Sequence, residues 1–200
     1  MLERALLRAP LESIVETAVE AGVDWVQVRE RGSTGAALLA LCRSVLAAAR
    51  RGGARRGGAA RVVVNRRADV ALAAGADGVH LGFDGMAPAD ARALLGPGAL
   101  VGYSAHAPKE IDAACGASYA HLAPVFAPLS KTGERPPLGL DALARAAARG
   151  LPVLAQGGIS AANAREVVAA GAAGVAVTGT LLAADDVGAA VRALRSALDR

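Results

Sequence analysis

One short phrase recurs along the chain and constrains its fold more than any other feature. It reads AGVDWVQVR from Ala21, AGADGVHLG from Ala74, CGASYAHLA from Cys115 and AGAAGVAVT from Ala170. In each copy a glycine ends an Ala-rich, helix-like stretch, and one to three residues later an apolar run begins. Glycine suits a left-handed helix cap because it has no Cβ to clash. The near-continuous Val, Leu and Ala of the runs fit strands buried on both faces, and so a parallel sheet covered by helices.

On this basis strands are expected near 23–29, 61–65, 77–82, 99–104, 118–123, 152–157 and 173–178. Helices are expected near 10–21, 34–51, 67–74, 87–95, 107–115, 138–149, 160–170 and 185–198. Strands alternating with helices predict an α/β chain, with residues 1–200 as a single domain. Eight helices joined by short loops favour a closed (β/α)8, TIM-type barrel. The opening MLERALLRAP is no buried strand, so the first barrel strand is expected to be missing or replaced. An open doubly wound sheet is the alternative.

Apolar residues make up 54% of the chain, which excludes a disordered protein. Aromatics are so few that the core is expected to be Val, Leu, Ile and Ala. Much of the net charge of +4 comes from RRGGARRGGAAR, residues 50–61. That run is either a nucleic-acid patch or a solvated Arg/Gly loop. No aromatic platform accompanies it, which favours the loop. Cys42 and Cys115 show no CxxC or metal spacing and are read as small core hydrophobes of a reducing compartment. No secretory signal and no convincing membrane span are evident, so a cytoplasmic protein is expected, with no nucleic-acid or membrane partner.

In a parallel barrel the active site lies at the carboxyl ends of the strands. Gln27, Arg29 and Arg31 alternate along WVQVRER and would share one face. Charge on an inward face is costly without a partner, and an anionic ligand would supply one. The competing reading pairs Arg29 with Glu30 or Asp69. Asn65, His80 and Ser104 stand at successive strand ends, with His106 and His121 near others. Lys131 is one of only two lysines in an Arg-rich chain. Gly157 and Gly158 in LAQGGIS, with Thr178 and Gly179 in AVTGTLL, form a pair of Gly-bearing strand ends suited to holding phosphate through backbone N–H groups.

Taken in order, these segments resemble the thiamine phosphate synthase family and its close relative, the thiazole tautomerase. VQVRER resembles the family's Q-x-R-x-K strand, and VVVNRRADVALAAGADGVHLG its I-N-D-R-x-D segment running to D-G-V-H-L-G. GYSAH resembles G-x-S-x-H, APVFAPLSKTGERPPLGL resembles G-P-V-F-x-T-x-[ST]-K followed by G-L, and AQGGIS resembles A-x-G-G-I. The resemblance implies a barrel that joins a hydroxymethylpyrimidine diphosphate to a thiazole phosphate and releases pyrophosphate. It implies that Gln27, Arg29, Arg31, Asn65, Ser104 and Lys131 hold the pyrimidine diphosphate, with Arg29, Lys131 and Ser104 in the catalytic roles. Ser130, Gly158, Thr178 and Gly179 would hold the thiazole phosphate. His80 and Gly157 fall in the matched binding segments.

The departures concern the magnesium ion that the family implies. The first metal aspartate follows the Asn, and here that residue is Arg66. The second follows HLG, where this chain reads FDG, leaving Asp84 offset by one as the single candidate ligand. A weakened or lost metal site is therefore expected, with Arg66 turned to the diphosphate beside Arg29, Arg31 and Lys131. The competing reading turns Arg66 outward onto Asp69. The Lys of Q-x-R-x-K is Arg31, a Thr of the thiazole loop is Pro128, and Pro124 matches the synthases rather than the tautomerase. A thiazole phosphate tautomerase and a non-catalytic phosphate-binding barrel are the alternatives to a synthase. Expected partners are small phosphorylated substrates and, as an assembly, a homodimer.

Overall fold

The computed structural model describes residues 9–127 and 135–199. Seven strands, β1 (Trp25–Val28), β2 (Arg61–Asn65), β3 (Gly78–Leu81), β4 (Leu100–Ala105), β5 (Tyr119–Leu122), β6 (Val153–Gln156) and β7 (Gly174–Ala176), form one sheet in strictly sequential order. Every neighbouring pair is parallel. A doubly wound sheet reverses its strand order at a switch point, and this one does not, which removes that alternative.

The sheet is curled. Trp25 on β1 and Tyr119 on β5 stack edge to face with ring centroids 4.9 Å apart. Four strand spacings in a flat sheet would hold them roughly 19 Å apart. The fold is thus a seven-stranded parallel wall bent around an interior. Among the described residues no hydrogen bond joins β1 to β7. The expectation about a first strand falls on residues 1–9, of which 1–8 lie outside the described residues.

Helices α1 (Leu11–Glu20), α2 (Gly35–Arg56), α3 (Ala68–Ala74), α4 (Pro88–Leu95), α5 (Gly139–Ala147), α6 (Ala164–Ala169), α7 (Gly179–Leu182) and α8 (Val187–Leu198) cover the outside. The four repeat glycines, Gly22, Gly75, Gly116 and Gly171, all have positive φ, as the cap reading requires. Caps set two helix starts. Thr34 Oγ1 accepts from the Ala37 N–H at 3.3 Å, and Asp186 Oδ1 from the Ala189 N–H at 2.8 Å.

Outward residues of β1–β4, such as Val26, Val62, Val79 and Val101, pack under the first four helices. Those of β5 and β6, such as Leu122 and Val153, pack with Leu143 and Val167 under the later ones. Ala18, Leu181 and Val191 join α1, α7 and α8 in a third cluster. Arg195 of α8 donates to Asp24 at 2.6 Å, just before β1. The helical layer therefore links the last element to the first.

Three expectations need correction. The run 50–61 is not a solvated loop, because residues through Arg56 extend α2. Arg51 and Arg55 reach Glu16 at 2.7 Å each, and Arg55 also reaches Glu20. A Cβ on Gly52 would lie 2.5 Å from the Glu16 carbonyl oxygen, so the glycines there let two helices touch rather than break one. Cys115 is exposed in a turn, while Cys42 is the buried one, its thiol pushed up to about 11 by burial. The segment 108–113 is a 3-10 helix, and α7 was not anticipated.

Candidate active site

The parallel pleat dictates what faces the interior. Period-two alternation places Trp25 and Gln27, Gly78 and His80, Gly102 and Ser104, and Tyr119 and His121 on the same side of their strands. Register then sets their neighbours, with His80 beside Gly102 and Gly102 beside Tyr119. The glycine opens the space between. A Cβ there would stand 2.4 Å from both His80 Nδ1 and the Tyr119 hydroxyl. Across the gap His80 Nδ1 and Tyr119 OH meet at 3.1 Å, and His80 Nε2 lies 2.9 Å from Ser104 Oγ. The Asn65 amide donates weakly to the His80 carbonyl at 3.5 Å.

Beside this chain His121 packs on His80 with ring centroids 4.1 Å apart and donates from Nδ1 to Gln156 Oε1 at 3.2 Å. Burial holds His121 neutral, with its pKa down at about 3. Burial first, and then the nearby Arg29 guanidinium, holds His80 well below the usual histidine range. Neither ring serves as a cation near neutral pH. Both offer neutral hydrogen bonds at the floor of the interior.

Above this floor opens a cavity of about 760 Å³, within the range of small-molecule sites. Gln27, Arg29, Arg31, Asn65, Arg66, His80 and Ser104 all line it. So do Gly157, Gly158, Thr178 and Gly179 on the far side. Two buried polar groups of this lining, the Gln27 amide and Thr178 Oγ1, have no hydrogen-bond partner among the described residues. Buried amides and hydroxyls are normally paired, so both suit a ligand. Ser130 and Lys131 lie outside the described residues, as does Pro128.

Gly157 and Gly158 are needed for packing as well as for any ligand. Their φ values are +94° and +63°, and a Cβ would strike Pro124 at 2.7 Å or the Ala127 oxygen at 2.5 Å. The Val125 and Phe126 N–H groups donate to the Gln156 and Gly157 carbonyls. Thr180 Oγ1 donates to Ile159 O at 2.7 Å and ties the β6 and β7 ends together.

The mouth is basic. Arg67 and Arg135 join Arg29, Arg31 and Arg66 in the lining. Arg67 grips Asp69 through two hydrogen bonds, at 2.7 and 2.8 Å. Asp69 is thus the partner of Arg67 and not of Arg66. Arg66 instead reaches Asp84, Nη2 to Oδ1, at 2.7 Å. Arg135 sits 5.9 Å over the Phe83 ring, and His106 meets the same ring edge-on. His106 Nδ1 donates to the Ala123 carbonyl at 3.0 Å, which in the neutral ring leaves Nε2 as an acceptor.

A carboxylate-built metal site does not fit these residues. Among the described residues no group of three or more His, Cys, Asp or Glu side chains could hold an ion. The one candidate ligand, Asp84, is already bound to a guanidinium.

The thiamine monophosphate synthase family profile matches residues 2–181. The chain belongs to that family. It is 43% identical over 191 residues to a putative thiamine-phosphate synthase of Geobacter sulfurreducens, covering 94% of this chain and 87% of the relative. It is 41% identical to the thiamine-phosphate synthase of Chloroflexus aurantiacus, covering 92% of this chain and 83% of the relative. The structure of a thiamine phosphate pyrophosphorylase from Pyrococcus furiosus superposes with a TM-score of 0.85 at 30% identity, over 98% of this chain and 92% of the other. The named relatives favour the synthase over the tautomerase and the non-catalytic barrel. No helix among the described residues is long and apolar enough to cross a membrane.

Sequence reasoning singled out His121 near a strand end but missed Tyr119, Gln156, Arg67 and Arg135. Two-residue alternation along YAHL and VLAQ was the available signal for the first two. The arginines carried none beyond their charge.

Proposed function

We propose that the chain is a thiamine-phosphate synthase, a transferase that joins a hydroxymethylpyrimidine diphosphate to a thiazole phosphate. The observation that carries this is a neutral, hydrogen-bonding floor under a mouth lined by arginines, all in one cavity at the strand ends. In the reaction the bond between the pyrimidine methylene carbon and the diphosphate oxygen breaks. Its electron pair leaves with pyrophosphate. The lone pair of the thiazole nitrogen forms the new C–N bond and leaves a thiazolium. That nitrogen carries no proton, so the step needs stabilisation of the leaving anion more than a base.

The chain's residues divide accordingly. Gln27 and Asn65 take the pyrimidine, and Ser104, oriented by His80, faces it. Arg29 and Arg31 hold the diphosphate, with Lys131 assigned to the same anion by the family match. Gly158, Thr178 and Gly179 take the thiazole phosphate, with Ser130 assigned by the match. The neutral floor spares the pyrimidine cation a charged neighbour. The same reading carries a (β/α)8-type barrel over residues 1–200 whose first strand is missing or replaced, a cytoplasmic enzyme and a homodimer.

The test is to incubate purified protein with both substrates, in Mg²⁺ and separately in EDTA, and to resolve thiamine phosphate chromatographically. Product is expected, and Gln27→Ala should lower its rate at least tenfold through loss of a positioned amide. Absence of product in both buffers would reject the synthase.

A further inference from the structure

The reaction leaves the Arg66–Asp84 pair at the mouth unexplained. We propose that Arg66 binds the substrate diphosphate in place of a divalent metal, and that Asp84 holds Arg66 ready in the empty site. This rests on the synthase reading for the identity of the anion.

Backbone geometry comes first. Arg66 is the one non-glycine residue with positive φ, +66°, among the described residues. The Arg67 N–H donates to the Asn65 carbonyl at 2.9 Å, closing a three-residue turn around it. That sign of φ marks the rarer, strained form of the γ-turn. A side chain kept in such a conformation belongs to the residues that cluster at ligand clamps. The turn itself is anchored, because the Arg66 N–H donates to the His80 carbonyl at 2.8 Å.

The guanidinium has an open seat. Gly82 lies beneath it, where a Cβ would come within 2.8 Å of Asp84 Oδ1 and 3.1 Å of Arg66 Nη1. Both side chains of the pair are about half exposed, at 51% and 50%, so the partner can be exchanged at the water-facing mouth. The neighbouring Arg67 is committed to Asp69 through both ends of its fork. Arg66 is bound to Asp84 through one end of its fork, Nη2 to Oδ1 at 2.7 Å.

Charge decides the exchange. Asp84 offers one negative charge. A diphosphate offers several, with oxygens spaced for a guanidinium fork, and Arg29 and Arg31 line the same mouth to receive them. Arg66 therefore leaves Asp84 for the diphosphate. For a divalent cation the same arrangement is hostile, since the Asp84 carboxylate stands 2.7 Å from a guanidinium. Magnesium also prefers several oxygen ligands in octahedral order.

Calorimetry with inorganic pyrophosphate in EDTA tests this apart from turnover. The unaltered protein should bind pyrophosphate without metal, and Mg²⁺ alone should give no binding heat. Arg66→Gly, which suits the positive φ and should fold, should weaken pyrophosphate by about ten- to a hundredfold, the effect of one charged hydrogen bond. Asp84→Asn should tighten it, because a competitor for the guanidinium is removed. Pyrophosphate binding that requires Mg²⁺, Mg²⁺ binding to the empty protein, unchanged affinity in Arg66→Gly, or equal or weaker affinity in Asp84→Asn would each overturn the proposal. A protein that forms thiamine phosphate yet fails these titrations loses the exchange alone. One that passes them without making product loses the synthase reading alone.

Discussion

Gly102 shows how one missing side chain can organise a site. With no Cβ it lets His80 and Tyr119 meet from the strands on either side. Gly102→Ala should therefore destabilise the fold by about 1–3 kcal/mol, the usual cost of overpacking. Urea unfolding would measure it, and an unchanged midpoint would mean that the interior yields more easily than its distances imply. Arg66 sits at the opposite extreme, a large residue where glycine would be easier. Arg66→Gly is expected to keep or raise Tm while pyrophosphate affinity falls, since relief of backbone strain accompanies loss of a ligand contact. A clear fall in Tm would make the Arg66–Asp84 pair a stabilising device instead. The position of Arg66 was legible in the motif, but its partner was not. Sequence proximity suggested Asp69, three residues on. The turn instead gives Asp69 to Arg67 and carries Arg66 to Asp84, eighteen positions away.

At the scale of elements, the strands were the most legible part. Each expected strand lies within about two residues of the observed one, because a run buried on both faces has little else to be and a left-handed glycine marks its approach. Helix α2 was less legible. The pair Gly52–Gly53 reads as a break, yet it is a contact with α1. Gly52→Ala should cost about 1–3 kcal/mol by pushing those helices apart, where a true loop glycine would tolerate the change. The buried histidines of β3 and β5 make a separate prediction. Their folded pKa values lie below the unfolded value of about 6.5. Below that value the unfolded chain binds the extra protons, so stability is fully present above pH 6.5 and lost as pH falls toward the folded pKa. With His121 titrating at about 3, moving from pH 7.5 to pH 5 should remove about 2 kcal/mol through this residue alone. His80 adds in the same direction. Urea titrations at the two pH values would check the sign, and a His121→Phe variant should flatten the slope. Equal stability at both would mean that the rings are protonated in place. The His121–Gln156 pair escaped sequence reading because each partner justifies the other only across adjacent strands.

For the molecule as a whole, the sheet brings residues from its first strand to its last around one cavity, with arginines at the rim and uncharged polar groups below. That division suits a reaction whose charge departs with one product. Its architecture was legible because the helix, glycine and strand phrase repeats. Its rim was only half legible, because arginines are also spent on the outer helices, as Arg51 and Arg55 are on Glu16. The most direct measurement is the stoichiometry of the overall reaction. Purified protein given both substrates should release pyrophosphate and form thiamine phosphate in equal amounts, and neither should accumulate when the thiazole phosphate is left out. Pyrophosphate release without thiamine phosphate, or no release under any metal condition, would contradict the synthase.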